Sequence, residues 1–154
     1  TEVFFRFTSC CWISLQVGGG TWAVKARANV TKRGDTLKIN SSPKTSVSPI
    51  VNVHKGCNAT INIPATDPDG DIVRCRWSNG SDECGGICLS LPGAVLNKDS
   101  CSISYQATGN VGYYGVAVQI EDFPATGGTV PYSSVPIQFL VYVYSTSQGC
   151  YSLP

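Results

Sequence analysis

Three aspartates stand at alternate positions in the run Ala65-Thr66-Asp67-Pro68-Asp69-Gly70-Asp71. Carboxylates this close repel one another unless a hard cation or a basic neighbour offsets them. Calcium, which takes about six to eight oxygens in flexible geometry, suits such a loop. An EF-hand is excluded: counting from Asp67, the position that needs glycine is Ile72 and the position that needs a bidentate glutamate is Ser78. The competing reading is a polar turn in which Asp67 caps its own loop, Asp69-Gly70 makes the bend, and Arg74 or Arg76 offsets the charge.

Other reactive residue types are sparse. Nucleophilic catalysis needs a serine or cysteine beside a base, and the single histidine, His54, lies in an alternating run next to Lys55-Gly56 with no motif around it. A solvent-facing histidine is the simpler account. Asp82 and Glu83 could serve as a pair of acids for glycoside hydrolysis, but they sit against Cys84 in a tight loop and no cleft is legible beside them. Structural zinc needs paired Cys or His at ligand spacing, and only Cys84 and Cys88 approach it. The expectation is a protein that binds or assembles, not an enzyme.

The eight cysteines are Cys10, Cys11, Cys57, Cys75, Cys84, Cys88, Cys101 and Cys150. In a chain of 154 residues they point to an oxidising compartment and a disulfide framework. Cys84 and Cys88 can close a small loop, and Cys75 and Cys101 flank it and could bridge strands. Cys57, Cys10 or Cys11, and Cys150 would tie the two ends to the middle. Adjacent cysteines rarely bond each other without strain, so Cys10 and Cys11 are expected to have different partners, and a partner in another chain would make a covalent cross-link. Four N-x-Ser/Thr acceptors, at Asn29, Asn40, Asn58 and Asn79, point to N-linked glycans. Secretion follows from both observations. The chain begins at Thr1 and has no methionine, as expected of a processed or excised piece whose signal peptide is gone.

The net charge is +1, with no basic run longer than Lys32-Arg33, which removes the electrostatic basis for nucleic-acid binding. The longest apolar stretch, Val135 to Tyr144, is about half a membrane span and is interrupted by Gln138. Charged residues are 14% of the chain, against a usual ~25%, a balance that suits short strands and turns.

These residues must be positioned by strands. Trp22, Val24, Ala26, Ala28 and Val30 alternate with Lys25, Arg27 and Asn29, the period of a half-buried strand. Phe4 to Phe7 and Cys11 to Val17 read as strands before it, with Gly18-Gly19-Gly20 as a turn, and Thr36 to Ile39 is a candidate fourth. Ser42-Pro43 and Ser48-Pro49 mark a boundary. Beyond it come strands at Ile50 to Val53, Ala59 to Pro64, Ile72 to Trp77, Ser102 to Gln106, Tyr113 to Ile120 and Val135 to Tyr144, with no helical period. Short strands separated by turn clusters define an antiparallel β-sandwich. The expected division is an incomplete N-terminal sheet over 1–43, a sandwich over 44–146 and a tail over 147–154.

The acidic run, followed by Ile72-Val73-Arg74-Cys75-Arg76-Trp77, resembles the cadherin-like, immunoglobulin-like modules of extracellular adhesion proteins. The resemblance continues through Val111 to Asp122, similar to the penultimate strand of that family, and Ser134 to Val143, similar to its last. Cys10-Cys11-Trp12 and Cys84-Gly85-Gly86-Ile87-Cys88 further resemble cysteine-rich cell-surface or matrix proteins of invertebrate animals. In a sandwich of this topology the loops after the second and penultimate strands share one end, which is expected to bring Glu121 and Asp122 to Asp67, Asp69 and Asp71 as a calcium site.

Two functions follow. The first is a structural or adhesive module that assembles end to end with copies of itself, into filaments, by strand addition through Val3, Phe4, Phe5 and Phe7. The second is calcium-dependent recognition of a carbohydrate or another extracellular protein at the acidic end, with Trp77, Tyr113 and Tyr114 as candidate stacking residues. Trp77 shares a strand face with Val73 and Cys75, which places it in the core instead.

Overall fold

The structure is a computed structural model and describes residues 1–147, 149 and 150. Eleven strands run in the order β1 (Glu2–Ser9), β2 (Trp22–Asn29), β3 (Lys44–Thr45), β4 (Ile50–His54), β5 (Asn58–Asn62), β6 (Ala65–Thr66), β7 (Ile72–Trp77), β8 (Val95–Asn97), β9 (Ser102–Gln106), β10 (Gly112–Phe123) and β11 (Ser133–Tyr144). A single helical turn, α1 (Ser81–Cys84), runs into a 3-10 turn at Gly85–Ile87. The expected tail over 147–154 lies largely outside the described residues.

One sheet has the order β1-β2-β11-β10-β7, with β4 lying parallel to the second half of β11. The other has the order β5-β9-β8, and β3 and β6 form a short separate pair. A three-stranded antiparallel sheet facing a sheet built on the last two strands is the immunoglobulin arrangement. The chain is an all-β, immunoglobulin-like sandwich.

Alternation explains the core. Tyr114, Val116, Val118 and Ile120 of β10 and Phe139, Val141 and Val143 of β11 point inward at period two and meet Ile61, Ile103 and Tyr105 of the facing sheet. Each such aliphatic side chain contributes roughly 1.5–3 kcal/mol when fully buried. Trp77 packs partly buried against this cluster. The outer face of β10 is covered too. Ala117 meets Cys84 and Ile87, and Trp12 and Leu15 pack on them. Gly115 is required here, since a Cβ on it would lie 2.7 Å from Ile87 Cγ2.

That second layer corrects the expectation of a strand at Cys11 to Val17. Its apolar side chains Trp12 and Leu15 are used at a spacing of three, to lid β10, so the segment is a loop with Gln16 N–H donating to the Tyr113 carbonyl. Thr36 to Ile39 is likewise no strand: Ile39 makes only an isolated bridge to Lys32. The N-terminal strands are a ribbon, β1 antiparallel to β2, and β2 continues the main sheet through Ala28 and Arg27 opposite Ser133 and Ser134 of β11.

Disulfides join Cys57 to Cys150, Cys75 to Cys101 and Cys84 to Cys88. The expectation of separate partners for Cys10 and Cys11 is corrected: they bond each other. The other six cysteines pair within the chain, which leaves Cys10 and Cys11 to each other.

Candidate functional site

Two places gather polar or apolar side chains beyond what the core needs: the acidic loop and the β1–β2 ribbon. In the loop, Asp67 Oδ1 accepts the backbone N–H of Asp69 at 2.8 Å and of Asp71 at 3.2 Å, while Gly70 takes the left-handed φ of 79° that closes the bend. Asp69 accepts the Ser41 N–H at 2.6 Å. Asp71 is buried and receives two donors from Arg33, one of them Nη2 to Oδ1 at 2.8 Å.

Arg33 was not singled out by the sequence, and it organises the site. Its side chain is 4% exposed, forks onto Asp35 and Asp71, and gives Nη1 to Asn40 Oδ1 at 2.9 Å. Its guanidinium lies 4.3 Å from the Tyr132 ring centroid. Bonds to Asp35 and then Asp71 hold the guanidinium even more firmly charged than usual, and the same contact with Arg33 pulls Asp35 below the ordinary carboxylate range.

Asp122 is fully buried at the same end, accepting the Ser133 N–H and hydroxyl at 2.6 Å and Asn40 Nδ2 at 2.5 Å. Glu121, its neighbour on β10, points to the opposite sheet face and accepts Arg76 Nε at 2.9 Å. The five carboxylates are therefore divided: Asp67, Asp69, Asp71 and Asp122 share one end, and Glu121 belongs to an ion-pair cluster with Arg76 and Glu83.

Asp71 is taken by Arg33 and Asp69 by Ser41, and only Asp67 Oδ2 is buried without a hydrogen-bond partner. Burial is the main reason the Asp67 carboxyl is pushed above its usual range. The carboxylates of Asp67, Asp69 and Asp71 each offer an oxygen within 4.8 Å of the others, and a calcium ion, which takes about six oxygens, would have to draw the rest from backbone carbonyls, amides or water. The loop's positive charge comes from Arg33, where the sequence pointed to Arg74 or Arg76.

Beside the ribbon, Arg76 binds Glu83 through two bonds of 2.7 and 2.9 Å, and Lys25 binds Asp82 at 2.8 Å. Burial alone would raise the Glu83 carboxyl, but Arg76 and the Asn79 N–H outweigh it and lower it. A cleft of about 280 Å³ lies there, lined by Phe4, Lys25, Arg27, Arg76, Glu83 and Glu121. Its charges are mutually paired. On the other ribbon face Val3, Phe5 and Phe7 stand beside Trp22, Val24, Ala26 and Ala28, with Phe5 64% exposed and Phe7 56% exposed.

The remaining sites are placed as follows. Asn58 and Asn79 are exposed, and Asn29 Oδ1 caps the Thr31 N–H. The Asn40 amide nitrogen, the atom a glycan would need, donates to Asp122 and to the Ser41 carbonyl. His54 sits at the Cys57–Cys150 bridge, its Nδ1 2.9 Å from the Lys55 carbonyl and 3.4 Å from Cys57 Sγ. Tyr113 packs on Tyr142, and the Tyr114 hydroxyl donates to the Asn110 carbonyl from a buried position.

Fold and site together define a disulfide-bonded immunoglobulin-like module. No family model matches the chain. Among curated proteins it is similar to Integrin beta-like protein A of Dictyostelium discoideum, at 26% identity over 121 residues, covering 75% of the chain and 6% of that protein. The chain thus spans a small part of the relative's length. Among solved structures it is similar to the titin Ig tandem domains A164-A165, at 8% identity and TM-score 0.41 over 95% of this chain and 82% of that one. It is also similar to a Bacteroides fragilis protein described as an alpha-galactosidase, at 14% identity and TM-score 0.49 over 68% of this chain and 18% of that one.

Proposed function

We propose that the chain is a secreted, glycosylated structural or adhesive module of the cell surface or matrix, and that the β1–β2 ribbon is its adhesive element. The observation that carries this reading is the exposed apolar pair Phe5 and Phe7, flanked by the half-buried Val3 and Val24 and bounded at one end by Trp22, on which Trp12 stacks. Three disulfides that staple the sandwich, and a vicinal one in the ribbon loop, support an oxidising compartment. The likeness to an integrin beta-like protein supports an adhesion-linked role.

The test is attachment of beads coated with the chain to Dictyostelium discoideum cells, the organism of that relative. Phe5→Ser with Phe7→Ser removes the apolar face without touching the core and should reduce attachment to that of uncoated beads. Equal attachment by both proteins would refute the reading.

A second reading, calcium-dependent recognition of a carbohydrate or protein by the acidic loop, is favoured by one observation, the orphaned Asp67 Oδ2. It requires millimolar calcium to raise the melting temperature relative to chelator; identical melts would end it.

A further inference from the structure

The ribbon has an edge as well as a face. The Val30 N–H donates to the Thr1 carbonyl at 2.9 Å, which fixes the phase of the β1–β2 ladder. Alternation then aims the backbone groups of Val3, Phe5 and Phe7 at β2, and those of Glu2, Phe4, Arg6 and Thr8 outward. β1 ends its sheet, so no strand among the described residues meets these outward groups. The opposite end of the sheet is closed: at β7 the Cys75 N–H donates to the Lys98 carbonyl at 2.8 Å, and the Cys75–Cys101 bridge holds that loop in place. The edge strands of the facing sheet, β5 and β8, have five and three residues, against eight in β1. β1 carries no proline, and among the described residues no strand pairs with its outer edge; the charges on it, Glu2 and Arg6, are of opposite sign.

Resting on the adhesive reading of the ribbon, we propose that its partner is a second copy of this chain, joined β1 to β1 in antiparallel pairing about a twofold axis at Phe4. The sequence of β1 is self-complementary in that register. Phe4 meets Phe4 of the other copy, Glu2 of each copy meets Arg6 of the other, and Val3 meets Phe5 on the apolar face. All three of the first pairs involve residues whose backbone groups point outward, so register and hydrogen-bond phase agree. Centring on Phe5 sets Arg6 against Phe4 and leaves Glu2 opposite Thr8, without a charge partner; centring on Arg6 sets Arg6 against itself. Within one chain Glu2 is bonded to the half-buried Arg27 and Arg6 to Asp82; Glu2 and Arg6 themselves are 47% and 60% exposed, where such pairs are weak and exchangeable.

Pairing of this kind is isologous: it uses the same strand on both copies and closes at two. It yields a side-by-side dimer with one continuous sheet, and no filament grows from this edge alone.

The test is sedimentation velocity of the purified chain to submillimolar concentration. Wild type should show a monomer–dimer equilibrium. Phe4→Pro removes an outward N–H that β2 does not use and should give monomer, whereas the hairpin remains. Glu2→Arg and Arg6→Glu each place like charges opposite at both ends of the pair and should weaken dimerisation by about tenfold or more. The double reversal should restore it. A wild type that stays monomeric, or a dimer indifferent to Phe4→Pro, overturns the proposal. In the first case, bead attachment that still depends on Phe5 and Phe7 leaves the adhesive reading standing with another partner. A dimer that obeys the charge reversals while bead attachment fails refutes the adhesive reading and leaves the dimer.

Discussion

Replacing Arg33 with alanine should do more damage than any other single change outside the core. The guanidinium is 4% exposed and satisfies Asp71, whose side chain is 1% exposed. Removing it strands a buried carboxylate, for which about 3–5 kcal/mol is expected. The contacts to Asp35 and Asp69, at 50% and 27% side-chain exposure, add little. For a chain of this size about 4 kcal/mol lowers the melting temperature by roughly 10 °C. The assay is urea unfolding of Arg33→Ala, Asp71→Ala and the double variant, followed by tryptophan fluorescence. Because each single variant leaves the other partner unsatisfied, the double should be more stable than the two losses added together predict, by about 2 kcal/mol. A loss below about 1 kcal/mol for Arg33→Ala, or strict additivity, would refute the account of Arg33 as the cation of the acidic loop.

Glu83→Gln should destabilise by about 1 kcal/mol at neutral pH, discounted because Arg76 is 40% exposed. Since Glu83 titrates below its usual 4.5, its contribution is present above that pH and lost as pH falls through the lowered value, so wild type and variant should converge in acid unfolding curves. Gly115→Ala forces a methyl into Ile87 and should cost about 1–3 kcal/mol in urea melts. Replacing Cys75 and Cys101 together by alanine opens a loop with sequence separation 26 and should cost about 3.5 kcal/mol on the chain-entropy account. Glycopeptide mass spectrometry of secreted protein should find Asn58 and Asn79 occupied and Asn40 bare, because the Asn40 amide nitrogen is committed to Asp122.

The strands of the sandwich were legible because alternation is a local signal: β7, β9, β10 and β11 lie where the apolar period places them. The loop at Cys11 to Val17 was misread because four apolar side chains in seven residues look like a strand, whereas the reason to bury two of them is a helical turn some seventy residues away. Arg33 was invisible for the same reason. Its partners Asp71 and Asn40 become neighbours only after the N-terminal segment docks. Glu121 lies on the opposite sheet face from Asp122 because adjacent strand residues face opposite ways, so their adjacency in sequence does not bring both to the acidic loop. Cys10 and Cys11 follow from elimination among eight cysteines, which requires the whole fold.

The bridge between Cys57 and Cys150 also sets how the module answers tension. A pull applied between Thr1 and Cys150 travels along residues 1–57 and then crosses directly through the sulfurs, because the two cysteines are covalently joined across a sequence separation of 93. Residues 58–149, which hold β5 to β11 and nearly all of the core, lie in a closed loop whose backbone is bypassed while the bond is intact, so that the pull reaches it only through the contacts of β2 and β4 with β11. The ribbon and β4 can peel, to a contour of at most about 200 Å, and there extension stops. The sandwich rides on a covalent bypass, and the ribbon serves as its extensible strap.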